Sequence, residues 1–125
     1  MKIDVSLGDC VDKVTILAVK LMKIQDDEKL KNVQKEHDLL EPIMVNAGIS
    51  RKSEHFRQLL DINTRLWEIE DAIRKKEAAQ EFDEDFIQLA RSVYMNNDQR
   101  AAIKRQINQA FGSELIEEKE YTQYS

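Results

Sequence analysis

The chain has 125 residues, a length typical of one domain, and it contains only 3 glycines and 1 proline. All-β folds need many turns and therefore more of both residues, so these counts argue against an all-β fold and favour a few long helices. The net charge of -5 argues against general nucleic-acid binding, because neutralising phosphates requires a basic surface.

The sequence also limits the cellular setting. It has no apolar run of about 18 residues that could span a membrane, and residues 1–9 lack the apolar stretch of a signal peptide. The single cysteine, Cys10, has no second cysteine with which to form a disulfide. We therefore expect a cytoplasmic protein that does not bind membranes and needs no cofactor.

The first helix is predicted to follow an extended lead-in at residues 1–5. Ser6 can cap it by accepting the backbone N–H of Asp9. Apolar residues then recur at spacings of three and four, which places them on one helix face. The acidic run at residues 25–28 interrupts this pattern, and Asp26 or Asp27 can cap a second helix.

The second and third helices are predicted over residues 28–45 and 54–78. Both carry heptad-like apolar seams: Leu30, Val33, His37, Leu40 and Met44 in the second, and Phe56, Leu59, Ile62, Leu66, Ile69 and Ile73 in the third. Because a short loop containing Gly48 joins them, we expect these helices to pack as an antiparallel hairpin that forms the base of the bundle.

A fourth helix is predicted after its cap Asp83, and a fifth after Asp98, because Met95-Asn96-Asn97-Asp98 is typical of a turn. Residues 113–125 form an acidic C-terminal tail. The predicted fold is thus a single all-α domain over residues 1–125, with about five helices in a bundle.

Three acidic residues on the third helix are candidates for a metal site: Glu68, Glu70 and Asp71. Residues three apart share a helix face, and paired carboxylates can hold Mg²⁺, which prefers oxygen ligands. The alternative is that these side chains are solvated or form salt bridges.

A basic set near the predicted turn is a candidate for phosphate or other anion binding: Arg91, Asn97, Arg100 and Lys104. Arg100 and Lys104 are neighbours on one helix face, and arginine suits bidentate anion recognition. The alternative is that Arg91 pairs with Glu70 or Asp71 and stabilises the bundle.

Other reactive or large side chains favour structural roles. Cys10 could form a nucleophilic pair with His37 or His55, but Cys10 is typical of a small buried residue and His37 lies on an apolar seam. Trp67 is typical of a core or subunit-interface anchor. No glycine-rich phosphate loop and no CxxC or HExxH motif is present.

Five stretches of the sequence match a known pattern: VDKVTILAVK (11–20), LKNVQKE (30–36), LWEIEDAIRKKE (66–77), EFDEDFIQLARSVYMNNDQRAAIKRQIN (81–108) and GSELIEEKEY (112–121). In these stretches the sequence resembles a small family of uncharacterised helical proteins of bacteria and phages. The chain departs from the family at Asp9 and Ala18, where glutamates are usual.

The resemblance implies an association with polysaccharide-biosynthesis and glycosyltransferase proteins, and no established activity. The family's polar positions correspond to Asp12, Lys13, Lys20, Asn32, Glu70, Asp71, Arg74, Glu77, Arg91, Tyr94, Asn97, Asp98, Arg100, Lys104, Glu118 and Lys119. Such a set of opposite charges can form an ion-pair network or line a cleft.

Three function classes follow from these patterns. The first is a non-enzymatic interaction or accessory domain, homo-oligomeric or with a protein partner, linked to surface-polysaccharide production. The second is an Mg²⁺-dependent enzyme or binder for a nucleotide or nucleotide-sugar, which would use Glu68, Glu70, Asp71, Arg91, Arg100 and Lys104. The third, nucleic-acid binding through residues 91–105, conflicts with the acidic charge.

Overall fold

The computed structural model describes residues 5–112, which contain four α-helices: α1 (Leu7–Lys23), α2 (Asp27–Asn46), α3 (Glu54–Ala78) and α4 (Glu84–Ala110). The described residues contain no strand, so the predicted all-α class is confirmed. The lead-in at residues 1–4 and the tail at residues 113–125 lie outside the described part.

Side-chain caps determine where three of the helices begin. Ser6 accepts the backbone N–H of Asp9, Asp26 accepts that of Lys29, and Asp83 accepts that of Phe86. Each cap satisfies one of the N–H groups that a helix start leaves without a partner. All three caps agree with the sequence-based prediction.

Helix α1 is the centre of the bundle, because it packs on α2, α3 and α4, and the only other packed pair among the described helices is α3 with α4. The three-residue connection between α1 and α2 makes them an antiparallel pair, with Lys13 facing Glu36. The main core cluster joins α1 to the end of α2, to the loop that follows it, and to α3 and α4; it contains Cys10, Val11, Val14, Met44, Ile49, Phe56, Leu59 and Ile107.

The predicted hairpin of the second and third helices is wrong in its partners. Their apolar seams are indeed buried at Val33, Met44, Phe56 and Leu59, but α2 and α3 pack on α1 and not on each other. A heptad pattern indicates which face of a helix is buried and leaves the partner open. The hairpins in this fold are α1–α2 and α3–α4.

The predicted fifth helix is also wrong, because α4 runs unbroken through Met95-Asn96-Asn97-Asp98. This segment has no glycine or proline, and asparagine and aspartate lower helix propensity only modestly. The side chain of Asn96 donates to the carbonyl of Ser92 within the helix. Packing of α4 on α1 and α3 therefore outweighs the local preference for a turn.

No helix within residues 5–112 is long and apolar enough to cross a membrane.

Candidate functional site

A buried polar cluster lies where α1, α3 and α4 meet. Asp12 at its centre is only 5% exposed. Its Oδ1 accepts a hydrogen bond from Asn63 Nδ2 at 2.9 Å and lies 3.5 Å from Arg100 Nε. Asn63 also donates to Thr15 Oγ1 at 2.8 Å. Burial of a carboxylate is costly unless it is paired and hydrogen-bonded, and these contacts meet that requirement.

Lys104 supplies the second cation of this cluster and is itself only 7% exposed. Its Nζ lies 2.9 Å from Asp9 Oδ1 and 3.9 Å from Asp12 Oδ2. Partial burial would raise the pKa of the Asp9 carboxyl, but hydrogen bonds from Lys104 and Ser6 outweigh burial and lower that pKa. Lys104 therefore links two carboxylates of α1 to α4.

The backbones of α1 and α4 approach closely at Gly8. Its N–H donates to Asn108 Oδ1 at 2.7 Å. A Cβ at this position would lie 2.5 Å from the carbonyl oxygen of Lys104, which is backbone and cannot move away cheaply. The close approach therefore requires glycine at this position. The contact fixes α1 and α4 relative to each other beside the buried polar cluster.

A cleft opens beside the cluster, and we call it the α1–α3–α4 cleft. Asn63 and Arg100 belong to both. The cleft has a volume of about 240 Å³, and its wall combines apolar, charged and amide side chains: Ile16, Val19, Lys20, Asn63, Leu66, Trp67, Glu70, Asn97 and Arg100.

The charged groups of the cleft differ in how they are held. Arg100 is fixed by two contacts, because Nε faces Asp12 and Nη1 donates to Asn97 Oδ1 at 3.4 Å. Lys20 and Glu70 form no ion pair with any residue in the range 5–112, although opposite helices bring both to the same cavity. The cleft therefore offers Arg100 as a cation held in position. It also offers Lys20 as a second cation and Glu70 as an anion, neither of which is held by an ion pair within residues 5–112.

The structure brings only part of the predicted anion site together. Asn97 and Arg100 line the cleft, while Lys104 lies in the buried polar cluster. Arg91 is exposed elsewhere on α4 and does not line the cleft. Within residues 5–112, Arg91 forms no ion pair with Glu70 or Asp71, which was the alternative prediction. Asp71 pairs with Lys75 instead.

The three predicted metal ligands do not converge. Glu68 pairs with Lys23 at 3.1 Å, Asp71 pairs with Lys75 at 3.2 Å, and only Glu70 lines the cleft. Across residues 5–112, no group of three or more acidic, histidine or cysteine side chains has the arrangement of a metal site. Glu70 thus joins the predicted basic residues rather than its acidic neighbours.

Motifs in the sequence did not indicate Asn63 or Lys20 as site residues. Lys20 was named only among the polar positions that the family resemblance implies. One signal was available for Asn63, because it lies beside the apolar seam of α3 next to Ile62, where a polar side chain requires a partner. Trp67 was predicted as a core or interface anchor, and the structure places it half-buried in the cleft wall.

Cys10 and His37 occupy buried structural positions, as the sequence favours. Burial raises the pKa of the Cys10 thiol, which disfavours the reactive thiolate. His37 is only 2% exposed, and its Nε2 lies 2.9 Å from an Arg51 nitrogen and 3.0 Å from Glu41 Oε2. This histidine connects α2 to the loop that follows it.

A second surface feature is the distal hairpin, which we define as residues 71–96 of α3, α4 and their connection. None of these residues is buried to the degree of the core. Large apolar side chains are exposed on it at Phe82, Ile87 and Tyr94. The rings of Phe82 and Phe86 meet edge to face, with centroids 5.3 Å apart, at the start of α4.

The chain belongs to a family of unknown function (DUF6165), which it matches over residues 1–124. No curated protein and no solved structure matches the chain.

Proposed function

We propose, for a chain whose family carries no assigned function, that this domain binds a small anionic molecule in the α1–α3–α4 cleft. The observation that carries the proposal is the presence of Lys20 and Arg100 in one cavity with the Trp67 ring. A few convergent polar groups in a partly apolar cavity are the usual composition of a ligand site.

The arrangement of Arg100 supports this proposal. Its contacts with Asp12 and Asn97 hold the guanidinium at the cleft before any ligand arrives, and a cation that is already in position loses less conformational freedom when it binds. Lys20 has no carboxylate partner within residues 5–112. An incoming anion therefore need not displace a protein carboxylate from this lysine.

The volume of the cleft favours a small ligand. Sites for drug-sized molecules usually enclose roughly 300–1,000 Å³, whereas this cleft encloses about 240 Å³. A whole nucleotide or nucleotide-sugar would extend beyond it. The predicted role in nucleotide or nucleotide-sugar chemistry therefore depends on contacts outside the cleft.

The Mg²⁺ requirement of that alternative stays a prediction. Its test is a thermal-shift screen with Mg²⁺ and Mn²⁺, each with and without nucleotides and nucleotide-sugars, on the native chain and on Glu70→Ala. A ligand that binds only the folded state raises the melting temperature. A metal-dependent rise that Glu70→Ala removes would support the metal role, and a flat screen would contradict it.

The anion proposal is tested by calorimetric titration at low ionic strength with inorganic phosphate and with 3-phenylpropionate. A hydrogen bond to a charged group contributes about 1.5–3 kcal/mol, so Lys20→Gln should weaken binding by about tenfold or more. The matched control is Lys13→Gln, since Lys13 is on the same helix but faces Glu36. Binding of neither anion, or equal losses in both variants, would overturn the proposal.

A second candidate function is a non-enzymatic interaction domain that self-associates, and the exposed apolar side chains of the distal hairpin favour it. Two helical hairpins that pack about a twofold axis form a four-helix bundle. A protein partner and a cytoplasmic location, both expected from the sequence, belong to this candidate, as does the link to surface-polysaccharide production that the family resemblance implies.

The second candidate is tested by sedimentation velocity across the micromolar range. If the distal hairpin is the interface, Ile87→Lys should shift the native oligomer to monomer, because a buried lysine without a partner disrupts an apolar contact. Leu39→Lys on the exposed side of α2 is the control. A native chain that is monomeric throughout, or a shift with Leu39→Lys alone, would contradict this candidate.

A further inference from the structure

We infer that the α1–α3–α4 cleft selects a small zwitterion, that is, a ligand that carries both a protonated amine and an anionic group. This inference rests on the proposed anion binding and adds a second recognition element to it. The element is the carboxylate of Glu70, which lies in the same cavity as Lys20 and Arg100.

Glu70 differs from the acidic residues on either side of it. Glu68 pairs with Lys23, and Asp71 pairs with Lys75. Glu70 alone of the three lines the cleft, and it pairs with no cation among residues 5–112. A carboxylate beside an anion site weakens the binding of a simple anion by repulsion. The same carboxylate strengthens the binding of a ligand that also carries a positive charge.

Asn63 adds a neutral acceptor to the cleft. Its Nδ2 is already used, because it donates to Asp12 and to Thr15. Those two bonds fix the orientation of the amide. They leave the carbonyl Oδ1 without a hydrogen bond from residues 5–112, in a side chain that lines the cleft. Glu70 and Asn63 together provide acceptors for an ammonium group, which has three N–H donors.

The rest of the cleft wall suits an apolar or ring-shaped body on the ligand. Ile16, Val19, Leu66 and Trp67 supply this part of the surface. A ligand whose ammonium group binds Glu70 and whose anionic group binds Lys20 and Arg100 would pack its body against these residues. The shared chemistry is found in a free α-amino acid with an apolar side chain and in a phosphorylated amino sugar.

The experiment compares ligands that differ only in the amine. Each ligand is titrated into the protein by calorimetry at neutral pH. The affinity for phenylalanine is compared with that for 3-phenylpropionate, and the affinity for glucosamine 6-phosphate with that for glucose 6-phosphate. We expect the amine-bearing member of one pair to bind the native chain at least tenfold more tightly than its partner. The pair that shows this preference identifies which of the two sources the cleft accepts.

Variants assign the preference to Glu70. Glu70→Gln keeps the size of this exposed side chain and should reduce the tenfold preference to about twofold or less, while the amine-free anion still binds. Glu68→Gln, an equal charge change two residues away, should keep the preference. A native chain that binds amine-free and amine-bearing members equally overturns the inference and leaves anion binding intact. Binding of no member of either pair overturns both.

Discussion

The two ends of the α3–α4 hairpin differ sharply in burial. At one end, which we call the core end, α1 covers both helices, and the buried residues of α3 and α4 lie between Phe56 and Leu66 and between Lys104 and Asn108. At the other end lies the distal hairpin, where every residue from 71 to 96 is partly or fully exposed to solvent. The same two helices are thus a core element at one end and a surface element at the other.

The length of α1 explains this difference. At a rise of 1.5 Å per residue, α1 with 17 residues is about 25 Å long, and α4 with 27 residues is about 40 Å long. The hairpin therefore extends beyond the helix that covers it. The cleft lies at this boundary, since Lys20 is in the last turn of α1 and Glu70 is four residues past the last buried residue of α3. Changes at the core end should affect global stability, and changes in the distal hairpin should affect it little.

Lys104→Met should show the largest effect. It removes the cation that links Asp9 and the buried Asp12 to α4. Asp12 keeps its contacts with Asn63 and Arg100, but Asp9 loses a hydrogen bond between charged groups, and such a bond contributes about 1.5–3 kcal/mol. Urea unfolding followed by circular dichroism measures the loss. Lys75→Met is the control, because Lys75 forms an exposed pair with Asp71 and should cost about 0.5 kcal/mol or less. Equal losses would contradict the contrast between the ends.

Gly8→Ala should have the next largest effect on the free energy of unfolding. The new Cβ would meet the Lys104 carbonyl oxygen at 2.5 Å, and forcing extra atoms into a packed contact costs about 1–3 kcal/mol. Gly8→Ser should cost more than Gly8→Ala, because the clash grows with side-chain size.

Gly112 provides the control for Gly8. Its φ of 66° disfavours a side chain, but no atom of residues 5–112 lies within 4 Å of a Cβ there. Gly112→Ala and Gly112→Ser should therefore cost about the same, which separates a conformational effect from a steric one. If the loss at Gly8 showed no dependence on size, the close approach of α1 to α4 would not be its cause.

A smaller effect is expected in the pH dependence of stability. Because the pKa of Asp9 is lowered in the folded state, its ion pair contributes stability above the unfolded pKa of about 3.9. That contribution is lost as the pH falls through the lower, folded pKa. The difference in unfolding free energy between the native chain and Asp9→Asn should therefore be greatest at neutral pH and shrink below about pH 4.

The control for this measurement is Asp61→Asn, which removes an exposed pair with Arg65. We expect this variant to follow the native chain closely across the same pH range. An Asp9→Asn chain whose stability runs parallel to that of the native chain from pH 7 to pH 2 would contradict the role assigned to Asp9.

Local chemistry in the sequence was enough to predict helix starts and buried faces. Ser6, Asp26 and Asp83 act as caps because the hydrogen bond they make spans only three residues. Gly48, predicted to lie in the loop after the second helix, has a φ of 103° that glycine adopts without steric cost. These features depend on neighbours in the chain, so no tertiary information is needed to predict them.

Features that depend on distant residues were not predictable in the same way. The turn expected at Met95-Asn96-Asn97-Asp98 does not form, because the packing of α4 on α1 and α3 outweighs the weak helix propensity of this segment. Glu70 was grouped with its sequence neighbours Glu68 and Asp71, yet the cations that line the same cleft, Lys20 and Arg100, come from α1 and α4. Spacing along one helix indicates a shared face, but only the packing of three helices brings Glu70 to Lys20.

The smallest effect on global stability is expected for Asp83→Ala in the distal hairpin. Asp83 caps α4 and receives a hydrogen bond from Lys76 at 2.8 Å, and the pKa of Asp83 is lowered by that bond. Removing the carboxylate should free the first turn of α4 to open locally, because few buried contacts oppose opening there. Asp85→Ala removes the same charge from the same turn without removing the cap, and it serves as the control.

Native-state hydrogen exchange can separate local opening from global unfolding for Asp83→Ala. Amide protection in the first turns of α4 should fall, while protection in α1 should match that of the native chain. If the distal hairpin is instead covered in a self-associated form, α4 amides of the native chain should be more protected at high than at low protein concentration, and Asp83→Ala should reduce that difference. A parallel fall of protection in α1 and in α4 would mean that the two ends unfold together, which contradicts the contrast in burial between them.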